Sequence, residues 1–391
     1  MNPSLHLRPI YLDGHATTPV DPRVRDAMWP WFSEKFGNAA STSHLFGWEA
    51  AEAVERAREQ VAGLFQADPK SVVFTSGATE ANNLAIKGVL HAAPAGSGLI
   101  TTVVEHRAVL DPAKRLARQG YELVNVPVDS FGQVDPQRFA DSITPRTRLA
   151  SVMLANNEVG TIQPIEALGA ICRDRGIWLH CDATQGIGRV PIDWAREPID
   201  LLSLSGHKIY GPKGIGLLLV RRDRKRIPME PMLDGGGHEQ RLRSGTLPVP
   251  LIVGLGVACE LAGKSLEEET NRVAALRDRL WRGISIRLEG VVRNGHPTAT
   301  LPGNLHVSFE GVRGEVLLAR MKEIAVSSGS ACTSADPEPS HVLRARGVPE
   351  ALANASLRFG LGRFNTEAEI DFASDYVVEI VRKLRIGIDI H

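Results

Sequence analysis

Lys208 lies between two apolar runs, Leu201 to Leu204 and Ile215 to Val220, in the stretch LLSLSGHKIYGPKGIG that spans Leu201 to Gly216. Both runs read as buried strands. The lysine is therefore expected at the mouth of a sheet, among small and hydroxyl-bearing residues. Partial burial lowers the pKa of an amine and leaves more of it neutral and nucleophilic. A lysine that must form an imine with an aldehyde has this requirement. The plain alternative is a solvated lysine in a turn.

Other residues extend the kit. Asp182 ends the apolar run Ile177 to Asp182; a buried carboxylate is costly unless paired, and a protonated ring nitrogen is a suitable partner. His106 follows the run Leu99 to Val104, where a neutral imidazole can stack on a flat ring and shuttle protons. Ser76-Gly77-Ala78-Thr79 turns tightly from a strand into a helix and offers backbone N–H groups to an anion. Asn157 and Gln185 could hold a ring oxygen. An imine lysine, an anion for a pyridine nitrogen, a flat partner and phosphate donors together are what pyridoxal phosphate needs. Each has a blander reading: helix capping for Asp182 and Thr79, a satisfied polar residue for His106, turn formation for the asparagine.

Two further residues suit an amino-acid reaction. Arg358, alone in the apolar stretch Ser356 to Phe359, wants a carboxylate, and an amino acid supplies one. Cys332 sits in SSGSACTSA, Ser327 to Ala335, with Pro337 and Pro339 after it. Small residues bury little, so the stretch reads as a mobile surface loop and its thiol as a candidate nucleophile. An incidental surface cysteine is the alternative.

The elements that must position these groups alternate. Seven strands are expected at 71–75, 99–104, 121–126, 147–154, 177–182, 201–204 and 215–220, with helices at 48–65, 81–88, 112–118 and 165–175 among them. Alternation of this kind implies an α/β layer fold with a largely parallel sheet, whose ligands sit beyond the strand C-termini. Asp21 before Pro22 reads as a helix N-cap, and Thr366 with Glu369 as a capping box. After Leu233 the pattern changes. A helix at 251–262 leads to a longer one at about 266–288, then strands at 305–309 and 324–327 and helices at 315–322 and 366–384.

The chain has 391 residues, enough for two domains, and its 45 basic residues balance its 45 acidic ones. Zero net charge argues against a nucleic-acid binder driven by bulk electrostatics. No uninterrupted apolar run reads as a membrane span and no signal pattern opens the chain, so the cytoplasm is expected. The four cysteines, Cys172, Cys181, Cys259 and Cys332, form no CxxC pair; no local metal motif follows, and three of them read as core thiols.

Taken together, YLDGHATTP, TSGATEANNLAIKG, VEHRAVL, NNEVGTIQP, HCDATQG, SGHKIYGPKGIG, RSGTLPV, SSGSACTSA and SLRFGLGRF resemble, in order, the cysteine desulfurases of group I. The resemblance covers nearly the whole chain. It implies the fold type I of pyridoxal-phosphate-dependent transferases: a large domain, 16–262, with a mainly parallel seven-stranded sheet between helices, and a smaller α+β domain, 1–15 with 263–391, carrying a catalytic loop at about 327–340. It implies conversion of L-cysteine to L-alanine, with Lys208 as the imine lysine and Asp182 and Gln185 at the pyridine ring. His106 would stack on that ring. Ala78, Thr79, Ser205 and His207 would hold the phosphate, with Thr246 donated by the other subunit of a homodimer. Asn157 and Arg358 would contact the substrate carboxylate, and Cys332 would carry a persulfide to an acceptor protein, such as an iron–sulfur scaffold, or toward tRNA thiolation. Cys332 could also ligate a cluster transiently with a partner. His15 falls in a turn where many relatives have other residues and receives no role. The short C-terminus puts docking of a scaffold through a tail in doubt. Two competing readings are another enzyme of this cofactor, such as a selenocysteine lyase or aminotransferase, and a non-enzymatic sulfur relay.

Overall fold

The computed structural model describes residues 8–328 and 340–387. The chain enters through β1 (Ile10–Tyr11) and then builds a seven-stranded sheet from β2 (Val72–Thr75), β3 (Gly98–Thr102), β4 (Glu122–Val126), β5 (Thr147–Met153), β6 (Trp178–Asp182), β7 (Leu201–Ser205) and β8 (Gly216–Val220), in the spatial order β2-β8-β7-β6-β5-β3-β4. Only β8 runs against its neighbours in this sheet. The expected α/β architecture with a mainly parallel seven-stranded sheet is thus borne out.

Both faces of this sheet are buried, which is why its strands read as unbroken apolar runs. Phe74, Leu179, Leu204 and Leu217 face one core with the helix Leu45–Phe65. Val73, Leu99, Leu201 and Leu218 face another with the helices Ala78–His91 and Arg107–Arg118. His180, fully buried, is held between Ser151 Oγ and Ser203 Oγ at 2.8 Å each, and burial pushes its pKa down to about 4.

A further apolar cluster gathers the rest of the chain. β9 (Val291–Asn294), β10 (Asn304–Phe309) and β12 (Ser356–Gly360) form an antiparallel sheet in the order β12-β10-β9, and β11 (Ile324–Ala325) pairs in parallel with β1. Leu12 of the N-terminal segment packs here with Val307, Phe359 and Val377. The capping box of Thr366 and Glu369 opens the last helix, Glu367–Arg385.

Two expectations need correction. The two helices read on either side of Gly263 are one, Val249–Ser285, because the Glu260–Lys264 ion pair and the bond from Ser265 Oγ to Leu261 O (2.9 Å) bridge the glycine. That helix has the length and mean composition of a membrane span, yet Glu260 and Lys264 interrupt its apolar run, in keeping with the sequence reading, and Ile252, Leu255 and Cys259 bury its apolar face in the first core. The helix placed at Pro112 begins at Arg107, since the His106 side chain caps it by accepting from Ala108 N at 3.0 Å. An imidazole cap lies outside the usual Ser/Thr/Asp/Asn set.

Candidate active site

A cavity of about 520 Å³ opens beyond the C-terminal ends of the parallel strands, a volume suited to a small molecule. The ends of five strands contribute to it. β2 leads into Ser76 to Thr79, β3 into His106, and β5 into Asn157; β6 ends in Asp182 with Gln185 beyond it, and β7 ends in Ser205 with His207 and Lys208 following. Arg358 enters from β12. Of the residues singled out from the sequence, Thr246 is exposed and does not line the cavity, and Cys332 lies outside the described residues.

Lys208 is half-buried at the end of the short helical turn Gly206–Lys208. Its Nζ donates to His15 O at 2.5 Å and Ala16 O at 2.7 Å. The N-terminal segment clasps this turn from above. Thr18 N and Thr18 Oγ1 donate to His207 O, Tyr210 N donates to Thr18 Oγ1, and Asp21 N donates to Tyr210 O. Tyr210, at φ 64°, takes a left-handed conformation uncommon outside glycine, and Arg363 sits over its ring at 4.2 Å. The amine is thus fixed by a strap.

Asp182 is buried, with Oδ2 accepting from Asn82 Nδ2 at 2.7 Å and Oδ1 from Thr184 N at 3.0 Å and Thr184 Oγ1 at 2.5 Å. The turn-capping and buried-acid readings therefore both describe it. In the Asn156-Asn157 pair, Asn156 is the turn former, accepting from Glu158 N and Val159 N, while Asn157 lines the cavity. Arg358 is buried, pairs with Asp13 Oδ1 at 2.8 Å and donates to Asn157 O at 2.9 Å, yet its Nε has no partner among the described residues. Burial and the neighbouring charges of Lys208 and Lys213 push His207 down to about 4, so it acts as a neutral hydrogen-bonding group.

Glycines shape the turn at the N-terminus of the helix Ala78–His91. Gly77 has φ 152°, which suits glycine, and a Cβ on it would stand 3.6 Å from Ser205 Oγ, in the space an anion would take above the helix Ala78–His91. A Cβ on Gly216 would come 2.6 Å from Gly77 Cα, so glycine there lets the turn settle over the sheet. These donors, the acid at Asp182, the amine of Lys208 and the unpartnered Arg358 Nε fit a phosphorylated pyridine aldehyde together with an amino acid.

Several site residues went unrecognised in the sequence. Asn82 and Thr184 hold Asp182, Asp13 holds Arg358, and His15 lines the wall. Asp13 had one available signal, its place in the YLDGHATT run. Asn82 had the same kind of signal, its place in the TSGATEANNLAIKG run, but a helical asparagine otherwise reads as surface.

Glu105, next to His106 in the chain, is fully buried. Its Oε1 accepts from Thr102 Oγ1 at 2.7 Å and Met153 N at 3.1 Å, and its Oε2 has no partner among the described residues. Burial first, and then the charge of Asp182, push its pKa up to about 8. Glu158, buried and bonded to Ser340, is pushed by burial up to about 7. Between the ordinary carboxyl pKa and these values the folded state holds protons the unfolded state has lost, so stability falls as pH rises through this range. Below pH 6.5 the buried neutral imidazoles act in the opposite sense, because the unfolded state takes up their protons. Glu105→Gln should therefore reduce the loss of unfolding free energy between pH 6.5 and 8.5 by about 1–2 kcal/mol. Denaturant titrations at the two pH values check this, and equal losses in wild type and variant would reject it.

Comparison with known proteins follows the same lines. The family model described as aminotransferase class-V matches residues 10–372. The chain is 53% identical over 378 residues to a protein of Anaeromyxobacter dehalogenans (strain 2CP-C) described as cysteine desulfurase IscS, covering 96% of this chain and 93% of that protein. Among solved structures, one titled NifS-like protein superposes with a TM-score of 0.89 at 38% identity, covering 96% of this chain and all (100%) of the other. Another, titled SspA in complex with cysteine, gives 0.80 at 36%, covering 91% and 100%.

Proposed function

The chain belongs to the cysteine desulfurases of the class-V aminotransferase family, and from that premise we propose that it uses pyridoxal phosphate to convert L-cysteine to L-alanine and places the sulfur on Cys332 as a persulfide. The observation that carries the reading is a single cavity lined by the Lys208 amine, the Asp182 carboxylate, the His106 imidazole and the Arg358 guanidinium.

Lys208 would hold the cofactor covalently. Ala78, Thr79, Ser205 and His207 would hold its phosphate, with Thr246 of a second copy, and Asp182 and Gln185 its ring, against which His106 would stack. When bound, the cofactor supplies an electron sink that loosens bonds at the substrate's Cα. Arg358 and Asn157 orient the substrate by its carboxylate. Lys208 Nζ and His106 move protons between Cα and the departing groups. Cys332 Sγ, as thiolate, attacks the substrate sulfur: an S–S bond forms as the Cβ–S bond breaks, and Cβ gains the proton that completes alanine's methyl group. The thiol and L-cysteine thus become persulfide and L-alanine with no external oxidant.

The working unit in this reading is a cytoplasmic homodimer. Exposed Trp29, Phe32, Phe36, Phe46 and Trp48 offer an aromatic face to a second copy, and an exposed Thr246 is free to serve the neighbour's cavity. Residues 16–262 form the cofactor-binding domain and 1–15 with 263–391 the domain bearing the thiol. Sulfur then passes to an acceptor protein for iron–sulfur cluster assembly or tRNA thiolation.

Supplied with pyridoxal phosphate, the purified protein should turn yellow and, with L-cysteine and a thiol reductant, release alanine and sulfide in a ratio of about one to one, as that stoichiometry requires. Protein that stays colourless, or sulfide without alanine, would sink the reading.

A further inference from the structure

His15 is buried at the cavity wall, 1% exposed, and its Nε2 has no hydrogen-bond partner among the described residues. Its tautomer follows from its neighbours. Gln185 Nε2 donates to His15 O at 3.0 Å, which turns the amide oxygen toward His15 Nδ1, also at 3.0 Å. Arg189 Nη1 donates to the same oxygen at 3.0 Å. A carbonyl oxygen only accepts, so Nδ1 carries the proton and Nε2 presents a bare lone pair.

This ring is an acceptor that stays neutral. Burial, followed by the charges of Arg189 and Arg358 and then Lys208, holds its pKa well below the usual histidine value. His106 is its opposite. Its Nδ1 accepts from Ala108 N, so the neutral ring carries its proton on Nε2. His15 and His106 thus present opposite polarities. A buried acceptor without a donor is costly, and a ligand that brings the donor removes the cost.

The substrate's own groups narrow the choice. A carboxylate cannot donate. In the reading above the substrate's amine would take the place of the Lys208 amine on the cofactor, so that group is already committed. The remaining donor of cysteine is its S–H. Two carboxylates lining the cavity are engaged: Asp182 by Asn82 and Thr184, Glu80 by Ser76 N and Arg243. The ring also lies beside the strand that carries Arg358. A Cβ on Gly360, two residues along β12, would come 2.9 Å from His15 Cδ2.

Resting on the reading of the site as one for L-cysteine, we propose that His15 Nε2 accepts the hydrogen bond of the substrate's thiol and selects cysteine over amino acids of the same shape that lack a side-chain donor. Sites built to hydrogen-bond a substrate group reject the analogue without it, and a thiol, being a weak donor, makes the selection moderate.

The test uses Cys332→Ser holoenzyme, with binding read from the visible band. L-cysteine is compared with L-2-aminobutyrate, which carries a methyl group in place of the thiol. The parent should favour cysteine about tenfold, the moderate end of such selection. His15→Asn puts an amide where Nδ1 lies, keeping the Gln185 contact but leaving nothing at Nε2; the ratio should fall to about one. His15→Phe, which removes both nitrogens and keeps the ring, should do the same. His15→Gln reaches the Nε2 position and should keep most of the selectivity. An Asn or Phe variant that retains the tenfold ratio overturns the proposal, and so does a Gln variant that loses it as fully as they do. A parent blind to cysteine removes the cysteine reading itself; a responsive parent beside undiminished variants removes only the role of His15.

Discussion

Lys208→Ala should lose the visible band of the bound cofactor and with it alanine production, by about 10³-fold or more, as expected when a group that both anchors and moves protons is removed. The geometry says why no neighbour replaces it. The amine is held at the cavity by two carbonyls of the N-terminal segment, and the nearby Lys213 comes from beyond the turn that presents Lys208. Cofactor should still dock through its phosphate at the helix Ala78–His91, so the variant should retain a non-covalent complex. Absorbance after gel filtration and alanine release check both halves. A variant that keeps the wild-type band and rate would place the attachment elsewhere.

Cys332→Ser should have an equally large but different effect. It should bind cofactor and show the cysteine-induced absorbance change, because every group assigned to those tasks, apart from Thr246 of a second copy, lines the cavity and Cys332 is not among them. It should release alanine more slowly on the order of 10⁴-fold or more, the scale of losing one member of a catalytic unit, since a hydroxyl cannot take over the sulfur. Steady alanine turnover in this variant would refute the persulfide assignment and favour a lyase or aminotransferase that needs no thiol. The three described cysteines offer no substitute: Cys172, Cys181 and Cys259 are buried, and burial pushes the first and last up to about 12 and the second well above the usual thiol value.

Much of this could be read from residue order. Strands buried on both faces announce themselves as apolar runs, so the seven central strands fall close to where the sequence puts them, and the ends of those runs point to His106, Asp182 and Lys208 without coordinates. What escaped is what depends on distance through space. Asp13 reaches Arg358 across 345 positions of chain and Asn82 reaches Asp182 across 100. Nothing local to either residue says so. The antiparallel course of β8 and the weak strand β9 escaped for a related reason, since pairing direction is a property of neighbours. Gly263 misled because a glycine is a poor helix former in isolation, and here side-chain bonds one turn apart carry the helix across it.

The N-terminal strap serves two masters. Its first residues pair with β11 and its next few lean on the lysine turn. Anyone diversifying this enzyme has to mutate 10–18 and 324–327 as one cassette. A substitution chosen to reshape the cavity wall would otherwise also tug at the root of the segment that leads to Cys332.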